Sequence, residues 1–378
     1  TPPRQVFSMK SNDRSQTLVE LLRQRILVLD GAMGTALQDA NLTAEDFGGL
    51  DLDGCNENLV LTRPDVVRGV HRGYLEAGAD IVETNTFGST PLVLAEYDLQ
   101  DEAREISRVA AELARQEADA MTAANPSRPR FVAGSMGPTT KAITVTGGVT
   151  FPELVEHFRV QALGLLEGGS DLLLVETQQD TRNVKAAVLG IDRAIDELGI
   201  KVPIMISGTI EPMGTMLAGQ TADALVASLM HVDLLSIGLN CATGPEFMTD
   251  SIRSISELAR TRVSCVPNAG LPDEDGNYQE SPTAMADVLE RFVDHGWLNM
   301  VGGCCGTTPE HIATFAQMVE GKTPRAWADH HRALYSGIEL VEADEDNRPL
   351  LVGERSNVIG SRKFKRLIAD EKFEEASE

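Results

Sequence analysis

Cysteine is scarce in this chain. Cys55, Cys241, Cys265, Cys304 and Cys305 are the only five among 378 residues, and so low and odd a count excludes a fold stapled by disulfides. It fits a reducing cytosol, where thiols serve more often as metal ligands, catalysts or core residues. Positive charge is also short: 33 Lys and Arg stand against 57 Asp and Glu, a net charge of -24. Such a surface repels nucleic-acid phosphate and anionic lipid. The expected partner is a small molecule or another protein domain, with no nucleic acid and no membrane. No apolar run reaches the ~20 residues that span a bilayer, and no signal-peptide pattern opens the chain. A cytoplasmic location is expected. The polar opening TPPRQVFSMKSNDR has no initiator Met and reads as a loose arm, residues 1–14, of a processed or cut chain.

What is present is a repeat. Short runs rich in Val, Ile and Leu recur as ILVLDGAMGT, DIVETNTF, FVAGSMGP, DLLLVETQ, PIMISGT, LLSIGLNC, VSCVPNAG and NMVGGCCGT. They are apolar throughout rather than alternating, as strands covered on both faces should be. Helix signals lie between them. Thr62-Arg63-Pro64-Asp65 offers a cap, a first-turn Pro and an acid, with Gly78 as the stop. Further starts fall near Pro152, Asp180, Thr221, Pro245, Ser281 and Thr308, and a long helix is expected over 101–124. Eight strand-helix units predict an α/β fold, a (β/α)8 TIM barrel over residues 15–321. An open doubly wound sheet is the alternative, because counting strands does not prove closure.

Beyond Gly321 the pattern weakens. Residues 322–349 carry prolines and an acidic stretch and read as a linker. From Leu350 a new strand, turn and helix begin, and a lone unit of that kind cannot bury its own apolar face. It either packs on the barrel or starts a second, truncated domain, residues 350–378.

In a barrel the functional residues sit on the loops that follow the strands. Asp30 ends the first strand, Glu83 and Asn85 the second, Ser135 the third and Glu176 the fourth. Asn240 and Cys241 end the sixth, Cys304 and Cys305 the eighth. Zinc favours thiolates, and a catalytic site holds three protein ligands with one place open. Cys241, Cys304 and Cys305 could supply them. Adjacent ligands are awkward on a regular strand, whose side chains alternate, but Gly302, Gly303 and Gly306 give the backbone freedom to turn both inward. Packing, a redox role or a Cys304–Cys305 disulfide are the competing readings. Cys265 reads as a core residue, and Cys55, in the polar loop LDGCNEN, as a surface or hinge residue.

The carboxylates have plain readings too. Asp30-Gly31 could be a turn, and Glu176 a cap for the helix near Asp180. On one rim, Asp30 and Glu176 would instead form an acidic socket for an ammonium group. Ser135 and the glycine-rich backbone could then bind a carboxylate. Those are fixtures for a free amino acid.

The ordered set LDGAMGT, ENLVLTRPDVV, DIVETNTF, GSMGPT, VETQQD, GLNC and VGGCCGTTPEHI resembles the homocysteine-binding module of the methionine synthases, shared with zinc-dependent homocysteine methyltransferases. The resemblance runs from about Arg25 to Val319. The tail VGERSNVIGS looks like the start of the pterin-binding barrel of the cobalamin-dependent enzymes, with Ser356 where Thr is commoner.

The resemblance implies a zinc ion on Cys241, Cys304 and Cys305. It also implies substrate contacts from Asp30, Gly31, Ser135, Glu176 and Asn240, with the amino group at Asp30 and Glu176 and the carboxylate near Ser135. A free thiol, with a pKa near about 8.5, is mostly protonated at neutral pH, and zinc would keep homocysteine as the thiolate. The implied reaction is methyl transfer from methylcobalamin to that sulfur, giving methionine.

The chain has no Asp-x-His-x-x-Gly cobalamin signature. The donor is therefore expected from cobalamin-binding and folate-binding domains of a longer enzyme. A stand-alone methyltransferase using betaine or S-methylmethionine is the nearest alternative. A non-catalytic zinc scaffold, or a barrel acting on phosphorylated metabolites, lies further off.

Overall fold

The computed structural model describes residues 10–11, 13–274, 276–327, 332–350, 358 and 360–377. Eight strands form one sheet: β1 (Leu27–Val28), β2 (Ile81–Glu83), β3 (Phe131–Met136), β4 (Leu172–Gln178), β5 (Ile204–Gly208), β6 (Ser236–Asn240), β7 (Arg262–Val266) and β8 (Met300–Val301). From β2 to β8 each strand pairs in parallel with the next, and β8 pairs with β1. A parallel bridge between Leu29 and Ile81 joins β1 to β2. The sheet closes, so the fold is a (β/α)8 barrel and not an open sheet.

The continuous apolar runs follow from burial on two sides. Leu27, Leu29, Phe131, Ala133, Leu172 and Leu174 point into the barrel, with Leu18 and Leu22 of the helix Asp13–Gln24 in the same cluster. The residues between them, Val28, Val132, Leu173 and Val175, belong to the larger core under the outer helices. Those helices are α1 (Pro64–Ala77), α2 (Ala103–Ala124), α3 (Phe151–Glu167), α4 (Thr181–Leu198), α5 (Ala222–Leu229), α6 (Thr249–Leu258), α7 (Pro282–Asp294) and α8 (Pro309–Met318).

Most helix starts lie where the sequence signals put them, but Pro245 opens a 3-10 turn, Pro245–Met248, that runs into α6 at Thr249. Thr150, Asp180, Thr221 and Ser281 each accept a backbone N–H from the first turn. Gly78 closes α1 in the left-handed region, at φ 112°. One cap differs. Thr62 completes a short helical turn, Leu59–Thr62, and Arg63 holds the cap position of α1 without a side-chain bond. Pro64 is already preset for the first helical position, which lessens the need for a cap.

The described residues fall into two units, 1–329 with 336–340 and 330–335 with 341–378. Within the first, Arg325 is buried and donates to the carbonyls of Ser256, Ala259 and Thr261, so the segment just after Gly321 is tied to the barrel. The second contains the helices Arg362–Ala369, capped by Ser361, and Phe373–Ser377. The strand expected from Leu350, with most of VGERSNVIGS, lies outside the described residues.

Candidate active site at the barrel mouth

The three cysteines of the strand ends meet. The sulfurs of Cys241, Cys304 and Cys305 all lie within 4.8 Å of one another, the one such potential metal-binding group among the described residues. Cys241 and Cys305 are 3.9 Å apart at sulfur, and all five cysteines are free. Four ligands at ~2.3 Å in a tetrahedron stand about 3.8 Å from each other. Three soft thiols at that spacing fit zinc.

The backbone explains how neighbouring residues reach one point. Strand β8 ends at Val301, so Cys304 and Cys305 lie past the pleat, in a turn. Cys304 N–H donates to Pro267 O at 2.8 Å, and Ala269 N–H to Cys305 O at 2.9 Å. Asn268 Oδ1 accepts Cys305 N–H at 3.1 Å. Cys241 and Ala242 both adopt left-handed backbone, at φ 62° and 58°. For non-glycine residues that costs about 1–2 kcal/mol each, a strain that persists where a site demands it. Hydrogen bonds from Cys241 and then Cys304 hold the Cys305 thiol down at about 3. The same bonding pushes Cys304 well above the usual thiol range.

Beside the thiols sits a carboxyl cluster. Asp30 and Glu176 are buried and Glu83 is half-buried. Burial pushes all three up: Asp30 and Glu83 well above the ordinary range, and Glu176 to about 7. Asp30 Oδ2 accepts Glu83 N–H at 3.0 Å, while buried Oδ1 has no partner. Ser135 Oγ donates to Glu176, and Glu83 shares a hydrogen bond with the same carboxyl. Asp30 Oδ1 is thus an unpartnered buried acceptor among three desolvated carboxyls.

Glu176 owes its aim to an irregularity. The pairing of β4 with β5 shifts register between Val175 and Gln178, and Thr177 stands at φ 54°. A bulge at a barrel rim re-aims the side chain beside it. Asn240 holds this one, accepting Thr177 N–H at 2.9 Å and donating to Thr177 Oγ1 at 2.7 Å. Its amide also comes within 3.9 Å of Cys304 Sγ.

Gly31 has a packing reason. A Cβ there would lie 2.6 Å from Tyr74 Cε1 and 2.8 Å from Thr307 Oγ1. The Tyr74 hydroxyl donates to Ala32 O or Thr307 O, at 3.1 and 3.0 Å, joining the first and last loops of the mouth. Gly31→Ala is expected to cost about 1–3 kcal/mol through overpacking. A urea midpoint equal to wild type would contradict it.

Of the residues expected from sequence, Cys241, Cys304 and Cys305 form one group. Asp30, Ser135 and Glu176 form a second, and Asn240 lies between Cys304 and Thr177, the neighbour of Glu176. Glu83 joins the carboxyl group, and its only signal in the sequence is its place at a strand end. Cys265 is a core residue as expected. Cys55 is not at the surface: it is wholly buried with Phe47, Leu59, Val67 and Leu94.

The closed (β/α)8 barrel thus carries a thiol trio and a carboxyl cluster on its rim. The homocysteine S-methyltransferase family model matches residues 27–319, and the chain belongs to that family, a family of methyltransferases. It is 43% identical over 369 residues to the methionine synthase of Mycobacterium leprae (strain TN), covering 94% of this chain and 30% of that protein. The chain thus spans under a third of that relative. The metallated form of the homocysteine methyltransferase MmuM from Escherichia coli has 25% identity and a TM-score of 0.65, over 79% of this chain and 98% of that one. Its oxidized form, at 24% identity and TM-score 0.65, covers 81% and 99% and supports the fold alone.

Proposed function

We propose that this barrel binds homocysteine and presents its sulfur for methylation, forming methionine, with methylcobalamin as the donor brought by another domain of a longer enzyme. The observation that carries this is the adjacency of the thiol trio to the acid socket. A small molecule with a thiol at one end and an ammonium group at the other is the matching ligand. Cys241, Cys304 and Cys305 would hold zinc. Zinc bound there would keep a substrate thiol deprotonated near neutral pH. Asp30 and Glu176 take the ammonium group, and Glu83 steadies Glu176. Ser135 and the backbone of the loops after β1 and β3 take the carboxylate, the Ser135 hydroxyl turning from Glu176 to do so. Asn240 keeps the bulge that aims Glu176, and Gly31 lets the first loop close on Tyr74.

A donor delivered by a separate domain is supported by the rim. Phe87, Val145, Met213, Leu217, Phe247 and Leu271 are large apolar side chains exposed on loops that follow strands. Apolar surface of this kind commonly marks a docking face. The partial coverage of the methionine synthase supports it too. On this reading residues 1–14 are an arm, 15–321 the homocysteine barrel, 322–349 a linker and 350–378 the start of a pterin-binding domain, in a cytoplasmic enzyme. Among the described residues no helix is long and apolar enough to cross a membrane. A stand-alone enzyme using betaine or S-methylmethionine is the second reading, favoured by near-complete coverage of the E. coli homocysteine methyltransferase.

Donor assays on the zinc-loaded chain decide between them. Methionine is expected from homocysteine with free methylcobalamin, slowly and only at high corrinoid concentration, because positioning can be worth about 7–11 kcal/mol. None is expected from methyltetrahydrofolate alone. Faster turnover with S-methylmethionine or betaine than with methylcobalamin would overturn the cobalamin reading.

A further inference from the structure

The turn that carries the paired cysteines is closed by one residue, Thr307. Its N–H donates to Cys304 O at 3.0 Å, which makes Cys304-Cys305-Gly306-Thr307 a β-turn. Gly306, the third residue, stands at φ 78°, the left-handed backbone that a type II turn requires there. Thr307 Oγ1 donates to the same Cys304 carbonyl at 2.7 Å. That oxygen also accepts Ala32 N–H, at 3.3 Å, from the loop after β1. The directions are fixed, because an amide N–H only donates and the single hydroxyl proton lies toward Cys304 O.

Two glycines make room for this hydroxyl. A Cβ on Gly303 would lie 2.4 Å from Thr307 Oγ1, and one on Gly31 would lie 2.8 Å from it. Gly303 N–H donates to Asp30 O at 3.0 Å in the same seam. Thr307 is buried, so water does not compete for either hydroxyl bond. One oxygen thereby joins the loop that carries two thiols to the loop that carries Asp30.

We infer that Thr307 is a positioning residue for the thiol trio: its hydroxyl locks the Cys304–Cys305 turn and anchors it to the loop after β1, holding both sulfurs beside Cys241. This rests on the reading of the three thiols as ligands and adds a residue outside that set. Changing residues that orient metal ligands commonly costs about 10–100-fold in metal affinity. A side chain that merely filled the slot would act through its shape, and valine has that shape.

The test separates the hydroxyl from the methyl. Thr307→Val keeps the branched shape and removes both hydroxyl bonds. Its zinc affinity, measured by competition with a chromophoric chelator, is expected to fall about tenfold or more. Thr307→Ser keeps the hydroxyl, loses the methyl and is expected to bind zinc as wild type does. Urea midpoints of the metal-free chains give a second readout, since a packing role would lower the midpoint and leave the affinity of the folded chain unchanged. Wild-type zinc affinity in Thr307→Val would overturn the inference. So would an affinity loss of about tenfold in Thr307→Ser, an arm that remains decisive if the Val variant does not fold. A wild-type chain that binds no zinc would instead sink the reading of the thiols as ligands, and the inference with it.

Discussion

Cys241→Ala, Cys304→Ala and Cys305→Ala should each lose the bound zinc, and with it homocysteine methylation, while the barrel remains folded. Structural zinc sites bind with apparent free energies of about 10–16 kcal/mol over four ligands, so one thiolate is worth roughly 3–4 kcal/mol. Its loss weakens binding by about 10²–10³-fold. The fold is spared because the three residues sit beyond the ends of β6 and β8, outside the large core. Cys304 packs against the inner cluster, so its variant should lose the most stability of the three. Cys55→Ala and Cys265→Ala are the controls. Both remove a wholly buried side chain and should lower stability, yet leave zinc in place. Metal analysis by mass spectrometry, with a denaturant midpoint for each variant, reads both effects. Full zinc in all three site variants would sink the ligand assignment.

The barrel was legible because burial on two faces writes itself into composition. ILVLD, DLLLVE and PIMISG are apolar at consecutive positions, and all became strands. The thiols were legible as well, since GLNC and GGCCGT each place cysteine just past an apolar run. What the sequence hid was tertiary. Cys55 has polar neighbours in its loop, and its burial comes from α1, α2 and Phe47 closing over it from elsewhere in the chain. The amide of Asn240 is bonded to Thr177, sixty-three residues away in sequence, across a bulge that no local pattern announces. The left-handed backbone at Cys241 and Ala242 was equally silent, because neither residue favours it.

The second large effect is a trade between stability and binding at Glu176. Burial raises its carboxyl from the ordinary 4.5 to about 7, so the folded, ligand-free chain holds this proton more tightly than the unfolded chain does. The stability it contributes is full below about pH 4.5 and is lost as pH rises through about 7. A shift of that size corresponds to roughly 3 kcal/mol. Asp30 and Glu83, raised for the same reason, act in the same direction. Glu176→Gln cannot ionise and can still accept from Ser135. It is therefore expected to be more stable than wild type at pH 8, by up to about 3 kcal/mol, and nearly equal at pH 4.5. On the proposed reading homocysteine would reverse the preference. Its ammonium group would pair with the ionised carboxylate, so wild-type affinity should rise more steeply with pH through about 7 than that of the Gln variant, which keeps only the rise from deprotonating the substrate thiol. Loss of one charge-assisted hydrogen bond, about 1.5–3 kcal/mol, corresponds to roughly 10–150-fold weaker binding at pH 8. Zinc content should not change, because Glu176 is assigned to the amino group and not to the metal. Urea titrations at the two pH values, with calorimetric binding of homocysteine at pH 6 and 8, measure both sides of the trade. A Gln variant that is no more stable than wild type at pH 8, or that binds homocysteine as tightly there, would remove Glu176 from the ammonium socket.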